Sequence, residues 1–104
     1  MKLLTKEIGK KLEKHPIYSQ DGKGDDADVI VKFFNPMGKG TWYVLEGEKQ
    51  ADGDWLLYGI VDLYCREYGS FLLSELESIR LPFGLGIERD LHFNNKKVAD
   101  IKKW

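Results

Sequence analysis

A chain of 104 residues with 42% hydrophobic and 32% charged side chains has the size and make-up of one globular domain, residues 1–104, able to bury roughly 65% of its extended surface in a single core. Its apolar runs are too short to span a bilayer and Lys2 and Lys6 interrupt the N-terminus, so the expectation is no membrane segment and no secretion signal. A net charge of −1 points to neither a strongly basic nucleic-acid binder nor an acidic mimic, and the single cysteine, Cys65, excludes an intrachain disulfide and fits a reducing cytoplasm.

The first predicted element is a helix. Thr5 is a good N-cap, Leu4, Ile8 and Leu12 form an apolar line at a spacing of four, and Glu7 with Lys11 is a favourable pair. His15-Pro16 closes it, because the residue before proline is driven from the α region. A polar loop with two glycines runs from Ser19 to Asp28.

Strands follow. Val29 to Phe34 and Thr41 to Glu46 are rich in β-branched and aromatic residues, and Asn35-Pro36-Met37-Gly38-Lys39-Gly40 between them is turn chemistry. Asp52-Gly53 signals the next turn and Trp55 to Asp62 the third strand. Short connections make these strands antiparallel neighbours, a meander. Glu67-Tyr68-Gly69 reads as a turn and Ser70 to Leu73 as a short fourth strand. Ser74 with Glu77 fits a capping box for a short helix reaching about Arg80. Leu81-Pro82 stops it, Asp90 to Phe93 suits a last strand, and Val98 to Trp104 a short terminal helix. The fold expected is therefore α+β: an antiparallel meander sheet of four or five strands, with an N-terminal helix, a short helix after strand four and a short C-terminal helix.

Charge is unevenly spread. Residues 1–15 and 91–104 each carry +3, and residues 16–90 carry −7. If the ends lie together they make one basic surface beside an acidic body; two amphipathic helices turning lysine outward would give the same count.

Several motifs fail on inspection. Gly22-Lys23-Gly24 and Gly38-Lys39-Gly40 lack the Ser or Thr and the helix that a phosphate loop needs. Gly84-Leu85-Gly86 has Arg89 where a dinucleotide fingerprint needs its third glycine. The acidic loop from Asp21 to Asp28 lacks EF-hand spacing, with Lys32 where the closing glutamate would stand. His15, Cys65 and His92 are isolated, so no metal is expected, and Cys65 reads as a small apolar filler. No cofactor is implied.

Two constellations remain. Glu75, Glu77, Arg80, Glu88, Arg89, Asp90 and His92 surround the corner Pro82 to Gly86; Arg80 or Arg89 can clamp an anion and Glu88 with His92 can trade protons, or the same charges can pair off as a brace. Trp42, Tyr43, Trp55, Tyr58, Tyr64 and Tyr68 lie on or beside the sheet as a stacking platform or as core, with Trp42 and Tyr43 on opposite faces by strand alternation.

Thr41-Trp42-Tyr43 with Glu46, Tyr58-Gly59-Ile60-Val61, Leu73 to Arg80 and Gly84-Leu85-Gly86-Ile87-Glu88-Arg89-Asp90-Leu91-His92-Phe93 carry a resemblance over nearly the whole chain. They resemble domain-of-unknown-function family 2958, small bacterial proteins of plasmids, phages and integrative elements. Gly86 stands where the family is expected to have proline, and Leu63 to Arg66 diverges. The resemblance implies a mobile-element setting rather than a mechanism.

The sequence thus leads to a non-enzymatic accessory or counter-defence protein of the antirestriction or anti-CRISPR type, with a host or defence protein as partner. The residues singled out for binding are Trp42, Tyr43, Glu46, Glu77, Arg80, Glu88, Arg89, Asp90 and His92. The alternatives are a nucleic-acid-binding module using the basic ends and sheet aromatics, and a nucleotide-binding protein or enzyme centred on Arg80, Glu88, Arg89 and His92.

Overall fold

The computed structural model describes residues 2–101. Helix α1, Lys6–Glu13, begins where Thr5 adopts an extended conformation and its hydroxyl accepts from the Ile8 amide at 3.2 Å. Strand β1 is Asp28–Val29, β2 Val31–Phe34, β3 Thr41–Lys49, β4 Trp55–Asp62 and β5 Arg66–Leu72. Helix α2 is Leu73–Glu77, β6 Glu88–Arg89, β7 Lys96–Lys97 and α3 Val98–Ile101.

Five strands form one antiparallel sheet in the order β5-β4-β3-β2-β6; β2 to β5 are the expected meander, β6 returns to the far edge beside β2, and β1 pairs separately with β7. At the β2–β3 turn the Asn35 carboxamide accepts from the Met37 amide at 2.8 Å, while Gly40 takes a positive φ of 137°. At the β3–β4 turn Gly53 does so at 90°. These are the local signals that made the hairpins legible.

Four expectations are corrected. Glu67-Tyr68-Gly69 lies inside β5, where Gly69 faces Gly59 across the ladder, so turn-like composition yields to pairing with a full-length neighbour. Ser74 is not the cap of α2: the Leu72 amide donates to Glu75 Oε1 at 2.9 Å, and Asp54 from the β3–β4 turn accepts from both the amide and the hydroxyl of Ser74. The edge strand is Glu88–Arg89, beside β2; the Asp90 amide still donates to the Lys32 carbonyl at 3.0 Å, and from Leu91 onward the chain turns away. Cys65 is exposed at the β4–β5 turn instead of filling the core. The stretch from Lys102 to Trp104 of the expected terminal helix lies outside the described residues.

Both sheet faces are covered. On one, Phe33, Trp42, Val44, Trp55 and Leu57 pack against Leu3, Leu4, Leu12 of α1, and Leu73 and Leu76 of α2. On the other, Tyr43, Leu45 and Ile60 pack against Ala27, Val29 and Val98, with Phe93 and Ile101 at the margin. We call these the helix face and the loop face. The lysine-bearing ends therefore contribute to different cores, α1 to the helix face and α3 to the loop face; they approach each other where His15 Nε2 and Lys97 Nζ lie 3.6 and 3.1 Å from the Asp28 carboxylate.

One irregularity decides where a charge goes. Between Val44, which pairs with Gly59, and Glu46, which pairs with Tyr58, β3 gains one residue, Leu45. Such a bulge shifts alternation by one. Glu46 thereby joins Tyr43 and Tyr58 on the loop face instead of following Trp42 and Val44 onto the helix face.

Candidate functional site: the loop face around Glu46 and the Glu88–His92 corner

Glu46 is only 2% exposed, yet it is a carboxylate. Its Oε1 accepts from the Tyr18 amide and its Oε2 from the Gln20 amide, each at 2.8 Å. The first bond anchors a non-glycine residue at a positive φ, since Tyr18 sits at 75°. Gln20, also buried, completes the lock: its Nε2 donates to the carbonyls of Leu45 and Asp28 at 2.7 and 2.9 Å, and its Oε1 accepts from the Asp28 amide at 2.6 Å. The bulge directs the Leu45 carbonyl to this amide, so loop 16–28 is fastened to the sheet by polar groups that are all satisfied.

Beside this lock lies a cleft of about 330 Å³ whose lining includes Asp21, Glu46, Tyr58 and Tyr68. The rings of Tyr58 and Tyr68 are stacked, with centroids 6.1 Å apart and planes 18° apart. Burial, followed by the charge of Glu46 and then by Tyr68 and Asp21, pushes the Tyr58 hydroxyl above its ordinary value of 10.0. Glu46 and Asp21 each place a carboxylate on the cleft.

The residues singled out from sequence are dispersed. Trp42 is buried in the helix-face core and Tyr43 in the loop-face core, on opposite sides as alternation requires. The Tyr43 ring is already covered: Phe93 tilts against it at 6.3 Å, and Lys32 Nζ and Arg66 Cζ stand 5.8 and 5.5 Å from its centroid. It offers no stacking platform for bases. Arg80 donates to the Glu77 carbonyl at 2.8 Å, closing the end of α2. Arg89 donates to the carbonyls of Lys2 and Leu3, tying the first residues to the sheet edge on the helix face.

Glu88, Arg89, Asp90 and His92 line one cleft of about 310 Å³ with Lys32 and Phe34. Within it Asp90 accepts from the His92 amide at 3.0 Å and lies 3.5 Å from Lys32 Nζ. Glu77 and Arg80 line the neighbouring cleft, which Glu88 also borders. The corner is thus split between two hollows, its arginines hold backbone carbonyls, and an Arg80–Glu88–Arg89–His92 centre does not assemble. Of the nine residues, Glu46 alone belongs to the tyrosine-walled cleft. Of the residues beside it, Tyr58 and Tyr68 stood in the sequence only among the sheet aromatics and Gln20 was missed; the signal available for Gln20 was the loop rich in acids and glycines that follows Ser19.

Among the described residues no group of three or more His, Cys, Asp or Glu side chains is placed to hold a metal ion, and no helix is long and apolar enough to cross a membrane. No curated protein and no solved structure matches the chain. The model of one family, described as protein of unknown function DUF2958, matches residues 3–103, and with almost the whole length covered the chain belongs to that family.

Proposed function

We propose that this chain is a non-enzymatic accessory binding protein of a mobile element, of the counter-defence kind, which occupies a basic surface of a host or defence protein. The observation that carries this reading is the loop face: an acidic loop and a buried carboxylate beside stacked tyrosines, with Tyr68 47% and Tyr64 of the adjoining turn 99% exposed. Exposed aromatic side chains flanked by like charge suit recognition of an oppositely charged protein surface. The excess of acids in residues 16–90 supports the same polarity. The arginines of the other corner hold backbone instead of presenting a charged clamp.

The test is affinity capture of the tagged chain from host lysate, with and without nuclease, beside the charge-reversal variants Asp21→Lys and Asp25→Lys, and phage plating on hosts that express a restriction or CRISPR system together with the chain. A nuclease-resistant partner lost on charge reversal and weakened by salt, with restored plating, is expected. Partners that vanish with nuclease would overturn the reading in favour of nucleic-acid binding through the lysine-rich ends.

A further inference from the structure

The cleft on the loop face has a shape as well as a charge. Its volume, about 330 Å³, is at the small end for ligand sites and suits one long side chain better than a nucleotide. One wall is the Tyr58–Tyr68 stack, the floor carries the Glu46 carboxylate, and Asp21 stands at the rim. Each Glu46 oxygen accepts one backbone N–H, and a carboxylate oxygen has capacity for more than one donor. No cationic side chain among the described salt bridges neutralises Glu46. Gly22, also in the lining, takes a positive φ of 80°, and a Cβ built there meets nothing within 4 Å.

We propose that this cleft is an arginine-binding subsite: it receives the guanidinium of one arginine side chain from a basic partner protein, stacked on the tyrosine wall and donating to Glu46. The inference rests on the reading of the chain as a protein-binding domain and names the chemistry that the site selects. A planar guanidinium can stack on an aromatic face while directing donors at a carboxylate, two demands that an ammonium meets less well. The carboxylates of Glu46 and Asp21, which after burial help to raise the Tyr58 hydroxyl, favour the same cation and disfavour phosphate. The wall, the floor and the rim come from β4 and β5, from the bulged stretch of β3, and from loop 16–28, so the hollow exists only in the folded chain.

The experiment is a nuclear magnetic resonance titration of the full chain with N-acetylarginine N-methylamide, beside its neutral citrulline analogue and the lysine analogue. Saturable shifts of the Tyr58 and Tyr68 ring signals and of the Tyr18 and Gln20 amides are expected with arginine, weaker ones with lysine, and none with citrulline. Because Glu46 also holds loop 16–28, the discriminating variants are the exposed positions. Tyr68→Ala should weaken arginine binding about tenfold and Asp21→Asn about threefold, both with unchanged circular dichroism.

Equal shifts with citrulline, or shifts that survive Tyr68→Ala undiminished, would overturn the subsite. So would the absence of any shift with arginine, even where affinity capture still returns a nuclease-resistant protein; the protein-binding reading would then stand without this cleft. Arginine-selective shifts that are lost in Tyr68→Ala support the subsite even where capture returns nothing, and in that case the partner reading fails alone.

Discussion

Gly59 lies opposite the bulge, and replacing it with alanine should be among the most damaging single substitutions in the chain. A Cβ at this position would sit 1.8 Å from the Tyr43 carbonyl oxygen and 3.1 Å from the Leu45 amide nitrogen, both backbone atoms that no rotamer change can move. Ordinary contact begins at 3.4 Å, so β3 and β4 must part by about 1.6 Å at the centre of the sheet. That separation strains the ladder on either side of the Val44–Gly59 pair. Overpacking of this kind costs about 1–3 kcal/mol, and one or two stretched backbone hydrogen bonds add about 1 kcal/mol each. The total, about 2–5 kcal/mol, is a large part of the roughly 5–15 kcal/mol that stabilises a small domain. Urea unfolding followed by circular dichroism would measure it. Gly69→Ala is the control: its Cβ would meet only Val61 Cγ2, at 4.0 Å, although Gly69 is the direct cross-strand partner of Gly59. The control should be neutral or stabilising by about 0.5 kcal/mol. A Gly59→Ala midpoint equal to that of Gly69→Ala would refute the close approach at the bulge.

Glu46→Ala should destabilise the chain by about 2–4 kcal/mol, because two buried backbone amides lose a charged acceptor; hydrogen exchange should rise at Tyr18 and Gln20 more than in the β3–β4 ladder, and uniform acceleration would count against the lock. Lys97, whose hydrogen bond is the largest cause, and then His15 hold the Asp28 carboxyl below its ordinary value of 3.8 despite some desolvation. A depressed carboxyl contributes stability that is present above 3.8 and lost as pH falls through the lower folded value. Acid unfolding of Asp28→Asn should therefore show a shallower slope in that window than the parent chain, and an unchanged slope would remove Asp28 from the account. The Tyr58 hydroxyl is raised, so its contribution is complete below 10.0 and is lost as pH rises through the folded value. Absorbance titration should find one tyrosine that ionises late, absent in Tyr58→Phe and shifted back toward 10.0 in Glu46→Gln.

What was legible in the sequence was what neighbouring residues decide among themselves. Thr5 announces α1, Asn35 to Gly40 and Asp52-Gly53 announce the hairpins, and alternation separates Trp42 from Tyr43. Distant partners overrode local signals elsewhere. Glu67-Tyr68-Gly69 looks like a turn until β4 is placed beside it, and the two-residue β1–β7 pair joins Asp28 to Lys97 across 69 positions with no pattern long enough to read. The site suffered most from this. Arg80 and Arg89 advertise an anion clamp by residue type alone, and only the fold reveals that carbonyls from Glu77 and from the N-terminal segment take their hydrogen bonds. Glu46 could be singled out in sequence, but its partners Tyr18 and Gln20 stand 28 and 26 residues earlier.

The additional residue at Leu45 makes β3 sensitive to length in a way that it is not sensitive to chemistry. Exchanging Leu45 for another aliphatic residue leaves the register alone; deleting it keeps Glu46 opposite Tyr58 but removes the carbonyl that Gln20 Nε2 holds. Pairing Leu45 into the ladder instead of bulging it would carry Glu46 to the helix face. There the carboxylate would meet the apolar surface that Leu12 and Leu57 bury, and the Tyr18 and Gln20 amides would lose their acceptor. Natural variants of this strand should therefore diverge by substitution and resist insertion or deletion between Val44 and Gly47, while the turn at Ala51-Asp52-Gly53, exposed and outside the ladder, accommodates changes in length.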